Sequence, residues 1–378
     1  MSSRLLPRLT VVLCALIEST RLLGQRRTPA QPKRILIAHH LLLGDTLMLT
    51  ALLAKLREGY PQAEIAMTVP NSLLPLYGKR PYGVLALAYD PRDAATLNPL
   101  FKQKGFDLAL VPGDNRYALL ARALGARWIV AFAHDRPAWK NWIVDELIPF
   151  PNEPKALADI FTQLAQGPDP QPYEKSAWPI PDYTPFELPA KPYAVLHVGA
   201  RNPLRLWEPT KWRSIAEFLH SSGLEVVFSA AKHETEIVRA INPEGRYRSY
   251  AGELDLAQLW QLLSQARLLV TLDTGVAHLA KLTMTPTICL FGPGSAVLFG
   301  KGTFWRNAPF RSVTIENFPC RDQRLLFKRE LDWVRHCSRG LNECAKARCM
   351  EAIDVEMVKA EIKNLRNATS LQQTTKIR

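Results

Sequence analysis

The chain has 378 residues, 47% of them hydrophobic, and 48 Lys and Arg residues against 35 Asp and Glu residues. This length exceeds one ordinary hydrophobic core and the apolar fraction argues against wholesale disorder, so two folded domains are expected. The formal net charge of +13 favours an anionic partner, such as nucleic acid, a phosphorylated substrate or an acidic membrane surface.

Residues 1–30 form a basic, partly apolar segment. Its apolar run "LTVVLCALI" has nine residues, which is too short to span a bilayer, and no convincing signal-peptide cleavage site follows. The run is flanked by arginines at positions 4, 8, 21, 26 and 27. We therefore expect the segment to lie on an anionic membrane face, with a frayed terminal helix as the alternative.

From residue 31 to residue 166, apolar strands alternate with amphipathic helical stretches. The predicted strands are "RILIA", "AEIAMTV", "GVLALAY", "FDLALVP" and "RWIVAFA". Continuous apolar strands that alternate with helices indicate a parallel sheet covered on both faces, so this range is the N-terminal α/β domain.

A proline-rich stretch, residues 167–192, is expected to link the domains, because proline removes a backbone donor and fixes φ. The α/β pattern then restarts over residues 193–350, with the strands "YAVLHVG", "LEVVFSA", "RLLVTLD" and "PTICLFG". Residues 351–378 read as a closing helix and tail. We expect two doubly wound domains that face a cleft and bind ligands at the carboxyl ends of their strands.

The first candidate motif is Gly44-Asp45, at the carboxyl end of the first predicted strand. Glycine allows a tight turn and close approach of a ligand to the backbone. Asp45 is either a helix cap or a carboxylate that accepts a proton from a substrate hydroxyl. From these residues alone, the cap is the favoured role.

The second motif is "HVGARNPLRLWEPTKW", residues 197–212. A turn at Gly199 exposes backbone amides, and Arg201 and Arg205 supply forked donors that match phosphate oxygens. The alternative is a solvated basic loop with a structural tryptophan, Trp207. The loop lacks the full GxGxxG pattern, which disfavours a dinucleotide-dependent oxidoreductase.

The third motif is "VTLDTGVAHLAKL", residues 270–282. A strand ends at Asp273, and Thr274 and Gly275 open a helix whose amides suit an anion. His278 lies about one turn into this helix, and by itself it reads more readily as a core histidine than as a ligand. The following "FGPGS" is expected to form another wall of the same site. Asp255, in "ELDLAQ", is expected to cap a helix, so it does not belong to a metal-binding acidic pair.

Six cysteines are present, four of them at positions 320, 337, 344 and 349, and no CxxC pair occurs. This spacing does not favour a structural zinc site or a disulfide framework, so we expect reduced thiols in a cytoplasmic protein.

Taken in order, "GD" after the first strand, "HVGA…RLW", "DTGVAHLAKL", "PTICLFGP" and "CAKARCMEAI" resemble the heptosyltransferase-like glycosyltransferases, glycosyltransferase family 9. The resemblance runs from about residue 34 to residue 365. It implies a GT-B fold, with two Rossmann-like domains that bind the acceptor and the nucleotide-sugar respectively. It also implies a metal-independent reaction that inverts the anomeric centre.

The resemblance also implies roles for single residues. Asp45 matches the proposed general base, and this reverses the preference for a cap. Arg205 stands where the family usually has a lysine that contacts the donor diphosphate, and Glu234 matches an acidic residue that binds the donor ribose. The nucleotide-contacting loop corresponds to Asp273, Thr274, Gly275 and His278. Besides Arg205, two further positions depart from the family pattern: His39 replaces an arginine, and Arg201 replaces a hydroxyl residue.

The expected partners are an ADP-heptose-like nucleotide-sugar and an anionic acceptor, either a lipopolysaccharide-core glycolipid or a saccharide. No cofactor, metal or nucleic acid is expected. Peripheral contact with the inner membrane is expected. Two alternatives stay open: an epimerase of the GT-B type, and a non-catalytic protein that binds nucleic acid or another anionic ligand.

Overall fold

The structure, a computed structural model, describes the backbone of residues 5–375 and the side chains of residues 6–368. Arg4, one of the arginines that flank the apolar run, lies outside the described residues. The chain forms two compact units. The first runs to Pro172 and adds Ser176–Asp182 and Arg324–Trp333, and the second contains Tyr173–Lys175, Tyr183–Gln323 and the chain from Val334 onward.

The helices and strands are numbered in chain order. The helices are α1 (Leu5–Arg21), α2 (Leu43–Met48), α3 (Thr50–Gly59), α4 (Leu74–Tyr77), α5 (Leu97–Phe101), α6 (Tyr117–Ala123), α7 (Leu157–Phe161), α8 (Pro209–Ser221), α9 (Thr235–Ile241), α10 (Leu256–Gln265), α11 (Gly275–Thr283), α12 (Ala296–Phe299), α13 (Arg348–Glu351) and α14 (Val355–Thr375). The strands are β1 (Arg34–Ile37), β2 (Glu64–Val69), β3 (Val84–Ala88), β4 (Leu108–Val111), β5 (Trp128–Phe132), β6 (Glu146–Ile148), β7 (Tyr193–His197), β8 (Glu225–Ser229), β9 (Arg248–Ser249), β10 (Leu268–Leu272), β11 (Thr287–Phe291), β12 (Phe310–Thr314), β13 (Leu325–Leu326) and β14 (Arg329–Glu330).

The first unit contains a parallel sheet of six strands in the order β3-β2-β1-β4-β5-β6. Its central strands are fully buried: Ile35, Leu36 and Ile37 of β1 have no exposed area. Continuous apolar strands of this kind are characteristic of a sheet covered on both faces. The strand order reverses between β1 and β4, and such a switch point is where doubly wound sheets bind ligands.

The second unit repeats this topology. Its parallel sheet has the order β12-β11-β10-β7-β8-β9, which is the order of the first sheet read from the opposite edge. The switch point lies between β7 and β10, which pair in parallel from Leu268↔Ala194 to Thr271↔His197. The predicted α/β class, with two Rossmann-like doubly wound units, is therefore confirmed.

The closing helix α14 belongs to the core of the second unit. Val358, Ile362 and Leu365 recur at intervals of three or four residues, and all three are buried in the cluster that also contains Trp212 of α8. This spacing places them on one face of the helix, so the hydrophobic stripe fixes the helix against the sheet.

The proline-rich range 167–192 contains one short 3₁₀ turn, Lys175–Ala177, and no α-helix or strand. Two of its aromatic residues are nevertheless buried: the Tyr173 hydroxyl donates to the Leu282 carbonyl (2.8 Å), and Trp178 Nε1 donates to the Leu76 carbonyl (3.2 Å). The domain ranges proposed from the sequence remain a prediction. The structure groups residues 324–333, which lie inside the range assigned to the C-terminal domain, with the first unit.

Across the part of the chain that the structure describes, no helix combines the length and the apolar character needed to cross a bilayer.

Candidate functional site

In the first unit, the turn after β1 holds two histidines. His39 is fully buried: its backbone N–H donates to Thr68 Oγ1 (2.8 Å), and its Nδ1 accepts from the Leu41 N–H (3.1 Å). Burial, with a smaller effect of neighbouring His40, lowers the pKa of His39 to about 3. The ring is therefore neutral with its proton on Nε2, and this atom has no hydrogen-bond partner among side chains 6–368 or the described backbone.

Asp45 is the third residue of α2, and it is half-buried. The N-cap position of this helix is Leu42, so the simple N-cap role considered for Asp45 is wrong. Gly44 is the second residue of the same helix and does not have a positive φ, so it does not form the expected tight turn. The pair thus lies in the first helical turn after the carboxyl end of β1, at the switch point of the sheet.

In the second unit, Gly199 and Glu234 are in direct contact. A Cβ atom on Gly199 would lie 1.8 Å from Glu234 Oε2, so only glycine leaves room for this carboxylate. Glu234 is buried, and its Oε2 accepts a hydrogen bond from the Ala231 N–H (2.9 Å) at the start of the short 3₁₀ turn Lys232–Glu234. The carboxylate therefore has a structural role beside the loop that follows β7.

Arg205 and Asp273 form an ion pair between the loops that follow β7 and β10. Arg205 Nη1 lies 3.3 Å from Asp273 Oδ2 and also donates to the Asp273 carbonyl oxygen. Burial raises the pKa of the Asp273 carboxyl, and the cations of Arg205 and Lys281 oppose this shift. The guanidinium is one-third exposed, and none of the residues that the structure describes forms a hydrogen bond with its Nε. It therefore keeps hydrogen-bonding capacity for a ligand.

The start of α11 is a polar terminus with unused donors. Thr274 is the N-cap residue, but its side chain does not cap the helix, and its buried Oγ1 has no hydrogen-bond partner within the described part of the chain. A helix N-terminus has free amides and a positive dipole end. Together with Gly275 and the nearby Arg205, Thr274 makes a site suited to phosphate oxygens.

His278 and Lys281 lie one turn further along α11, and both are buried. Burial lowers the pKa of His278 well below its ordinary value, with further effects of Lys281 and Arg205, so the ring is neutral. Lys281 Nζ lies 3.4 Å from His278 Nδ1 and donates to the carbonyl oxygens of Phe299 (2.8 Å) and Gly300. Lys281 is thus a buried cation that holds the chain after α12 against the site.

A second glycine adjoins the Asp273 carboxylate. A Cβ atom on Gly294, in the "FGPGS" segment, would lie 2.0 Å from Asp273 Oδ2. This loop therefore forms a wall of the site, as expected from its place after β11. Sequence reasoning missed Lys281, although its spacing of three residues from His278 was a signal that the two share a helix face.

Three other residues discussed in the sequence analysis lie in different environments. Arg201 is exposed, and no ion pair is recorded for it among the described residues. Trp207 is structural, as the alternative interpretation held: it is buried, and its Nε1 donates to the Ile353 carbonyl (2.9 Å). Asp255 is the N-cap of α10 and accepts from the Gln258 N–H (2.8 Å), which confirms the capping prediction.

A basic recess of about 400 Å³, which sequence reasoning missed, lies within the first unit. It is formed by the loops after β5 and β6 and by the β13–β14 hairpin, with the exposed side chains of His134, Arg136 and Lys328 at its walls. Buried Arg329 fixes the hairpin there through hydrogen bonds to the carbonyls of Ala133 (2.7 Å) and Phe132 (3.0 Å).

All six cysteines are free thiols. Within the described residues, no group of three or more His, Cys, Asp or Glu side chains is arranged to hold a metal ion.

The topology and these motifs define a class of protein. Residues 97–329, more than half of the chain, match Glycosyltransferase family 9 (heptosyltransferase). The chain belongs to this family, and it is a glycosyltransferase.

The relatives agree with this assignment. The chain is 25% identical over 320 residues to lipopolysaccharide heptosyltransferase 3 of Escherichia coli K12, covering 76% of this chain and 89% of that protein. It is 26% identical over 275 residues to the lipopolysaccharide core heptosyltransferase OpsX of Haemophilus influenzae, and the match covers 69% of this chain and 79% of that protein.

Solved structures show the same fold. ADP-heptose lps heptosyltransferase II of E. coli superposes with a TM-score of 0.67 at 21% identity, over 89% of this chain and 99% of that one. The E. coli heptosyltransferase WaaC with ADP gives a TM-score of 0.60 at 17% identity, and the superposition covers 74% of this chain and 93% of that one. This similarity identifies the fold as that of the GT-B heptosyltransferases.

Proposed function

We propose that this glycosyltransferase moves a heptose or a similar sugar from an ADP-linked donor to an anionic lipopolysaccharide-core or related saccharide acceptor. The transfer inverts the anomeric centre and uses no metal ion. Support comes from the relatives, which include lipopolysaccharide heptosyltransferases, and from a structural neighbour, the E. coli heptosyltransferase WaaC, whose structure was solved with ADP.

One observation carries the donor half of this proposal. At the switch point of the second sheet, the buried Thr274 hydroxyl and the Arg205 Nε form no hydrogen bond with any residue that the structure describes, and both adjoin the N-terminus of the nine-residue helix α11. A buried polar group without a partner costs about 1–3 kcal/mol, so a polar ligand that satisfies both groups binds favourably there. A diphosphate offers the required acceptors and the matching charge.

During transfer, negative charge develops on the departing nucleoside diphosphate. In the proposal, Arg205 and the amides at Thr274 and Gly275 stabilise this charge, as cationic and hydrogen-bonding groups do at other leaving groups. Neutral His278 contributes a hydrogen bond rather than a charge. Gly199 and Glu234 shape the loop near the donor ribose, and Asp273 holds Arg205 in place.

On the acceptor side, Asp45 is the proposed general base. Its carboxylate accepts the proton of the acceptor hydroxyl as oxygen attacks the anomeric carbon and the bond to the diphosphate breaks. Gly44 allows a ligand to approach the backbone closely beside it. The basic recess formed by His134, Arg136 and Lys328 gives the first unit a complementary surface for phosphate or carboxylate groups of the acceptor.

The test is turnover of ADP-heptose with a lipopolysaccharide-core acceptor by Asp45→Asn. We expect at least a 10²-fold loss of kcat, since general-base catalysis typically contributes 10²–10⁴-fold, with unchanged binding of ADP by calorimetry. The matched control is Asp182→Asn, which alters an exposed carboxylate paired with Lys79 in the same unit, and it should keep full activity.

Near-normal turnover by the Asp45 variant would remove its assignment as the base. A requirement for Mg²⁺, seen as reversible loss of turnover with a chelator, would contradict the metal-independent mechanism. Conversion of the donor without any acceptor would support the epimerase alternative instead.

A further inference from the structure

Helix α1 packs one of its faces against the first unit. Val11 and Ala15 are buried in the same cluster as Leu36 of β1 and Leu120 of α6. The buried carboxylate of Glu18 pairs with Lys104 (2.9 Å), and beyond the helix Arg26 pairs with Asp145 (2.6 Å). These contacts fix the orientation of the helix on the unit.

The opposite face of α1 is apolar and exposed. Its residues recur at intervals of three and four, the spacing that places side chains along one side of a helix. The exposed set, with exposed fractions of 57% to 63%, consists of Leu6, Leu9, Leu13, Leu16 and Ile17, and Leu23 just beyond the helix is 70% exposed. Continuous apolar stripes of this kind are uncommon on soluble proteins and mark interaction surfaces.

Exposed arginines border this stripe. Arg8 near one end and Arg21 at the other are exposed, and Arg27 follows in the next segment. Apolar side chains flanked by cations are the pattern of a helix that lies in the plane of an anionic lipid surface. A second copy of this chain is a poorer occupant, because a symmetric contact through this face would bring the same arginines of both copies together.

The amino-terminal end of α1 lies beside the candidate acceptor edge of the first unit. Val11 of α1 is buried in the same cluster as Tyr89, and Tyr117 packs against that cluster. Burial raises the pKa of both phenols, and the nearby Arg8 opposes this shift. The Tyr89 ring in turn contacts His40 edge-on, with ring centroids 6.2 Å apart. His40 belongs to the β1–α2 connection, which leads directly into the helix α2 that carries Asp45.

We propose that the exposed face of α1 docks in the plane of an anionic bilayer and thereby holds the carboxyl edge of the first sheet at the lipid surface. The docking itself follows from the apolar stripe and its arginines. Its consequence, delivery of a membrane-embedded glycolipid to Asp45, rests on the proposed function.

The docking is tested with the full chain and vesicles that contain no acceptor. Sedimentation with phosphatidylcholine vesicles containing about 30% phosphatidylglycerol should capture the protein, and increasing salt should release it. The variant Leu9→Gln/Leu13→Gln/Leu16→Gln should lower the partition coefficient at least tenfold, because three apolar side chains are lost from the contact. The control Ile180→Gln/Leu341→Gln alters residues that are also about half exposed (51% and 58%) and should bind as the wild type does.

A second pair of variants tests the charges. Arg8→Gln/Arg21→Gln should reduce binding to the anionic vesicles about tenfold or more, since each basic residue near such a surface contributes about fivefold or more, and should affect pure phosphatidylcholine much less. The control Arg306→Gln/Arg311→Gln removes two exposed arginines of the second unit and should leave binding unchanged.

Turnover with a deacylated, soluble acceptor separates this inference from the proposed function. The apolar variant should keep wild-type turnover of the soluble acceptor and lose turnover of the same acceptor presented in vesicles. The docking proposal would be overturned if the wild-type protein did not bind anionic vesicles. It would also be overturned if the apolar variant bound them as the wild type does. A wild-type dimer that the apolar substitutions convert to monomer, with no lipid binding, would assign the face to a second copy.

Discussion

At the scale of single residues, the candidate donor site is marked by polar groups that the folded chain leaves unused. Thr274 is the clearest case, because its buried hydroxyl has no hydrogen-bond partner among the described residues. A group of this kind lowers the stability of the free protein and increases its affinity for a ligand that supplies an acceptor.

Thr274→Val should therefore separate binding from stability. The substitution keeps the branched shape and removes the hydroxyl, so we expect ADP affinity by calorimetry to fall about fivefold to tenfold, the contribution of one hydrogen bond. The free energy of unfolding should change by less than about 0.5 kcal/mol or increase, since no hydrogen bond within the chain is lost.

Thr283→Val on the same helix is the matched control. The Thr283 hydroxyl lies 2.6 Å from Thr285 Oγ1 and donates to the Ala280 carbonyl (3.2 Å), so its loss should cost about 1–2 kcal/mol of stability and leave ADP affinity unchanged. Unaltered ADP affinity in the Thr274 variant would show that its hydroxyl does not contact the nucleotide.

Some residues of the candidate site could be predicted from the sequence, and others could not. The motif around Asp273 and Thr274 was recognisable because a strand, a small turn and a helix start are all local patterns. Lys281 was missed because a lysine within a helix ordinarily reads as solvated. Its burial depends on carbonyl oxygens at Phe299 and Gly300, which only the folded loop brings to it.

At the scale of secondary structure, the buried side chain of Arg329 anchors the β13–β14 hairpin to the rest of the first unit. Arg329 is 2% exposed, and its guanidinium donates to Ala133, Gly113, Phe132 and Asn115. The sequence could not predict this contact. The residues involved are about 200 positions apart, and the intervening periodicity does not encode their pairing.

Arg329→Met should destabilise the first unit by about 3–5 kcal/mol, the usual cost of removing one partner from a buried ion pair and its hydrogen bonds. Urea unfolding gives this value. Arg324→Met is the control on the same hairpin: Arg324 pairs with the highly exposed Asp332, so its loss should cost less than about 1 kcal/mol. Similar losses for the two variants would contradict the anchoring role of Arg329.

At the scale of the whole molecule, each unit has the predicted doubly wound order because the strands are short, apolar and separated by helices. The sequence did not reveal β6, β9 and β12 at the sheet edges, where burial is weaker: two of the three residues of β6 are half-buried and the third is exposed. The local apolar signal of an edge strand is correspondingly weak.

Both units bury histidines, and this has a consequence for stability at acid pH. Burial lowers the pKa of His39 to about 3 and that of His197 to about 4. The unfolded chain, with an ordinary histidine pKa of about 6.5, binds more protons than the folded chain between pH 6.5 and about 4. Stability therefore falls as the pH falls through this range, by up to about 1.4 kcal/mol per pH unit for each such histidine.

His197→Gln should make the free energy of unfolding less dependent on pH. The slope between about pH 6 and about pH 5, measured by urea unfolding, should decrease by up to about 1.4 kcal/mol per pH unit relative to the wild type. An unchanged slope would show that His197 takes up its proton equally in the folded and unfolded states.

The position of Arg329 in the chain limits how this enzyme can be dissected. The β13–β14 hairpin comes after most of the second unit in the sequence. A fragment that stops near residue 182 therefore contains the first sheet but lacks the Arg329 side chain. The carbonyl oxygens of Gly113, Phe132 and Ala133 would then lose their guanidinium donor, and the basic recess would lose one wall. Expression of the first unit alone should accordingly graft residues 324–333 onto the truncated chain.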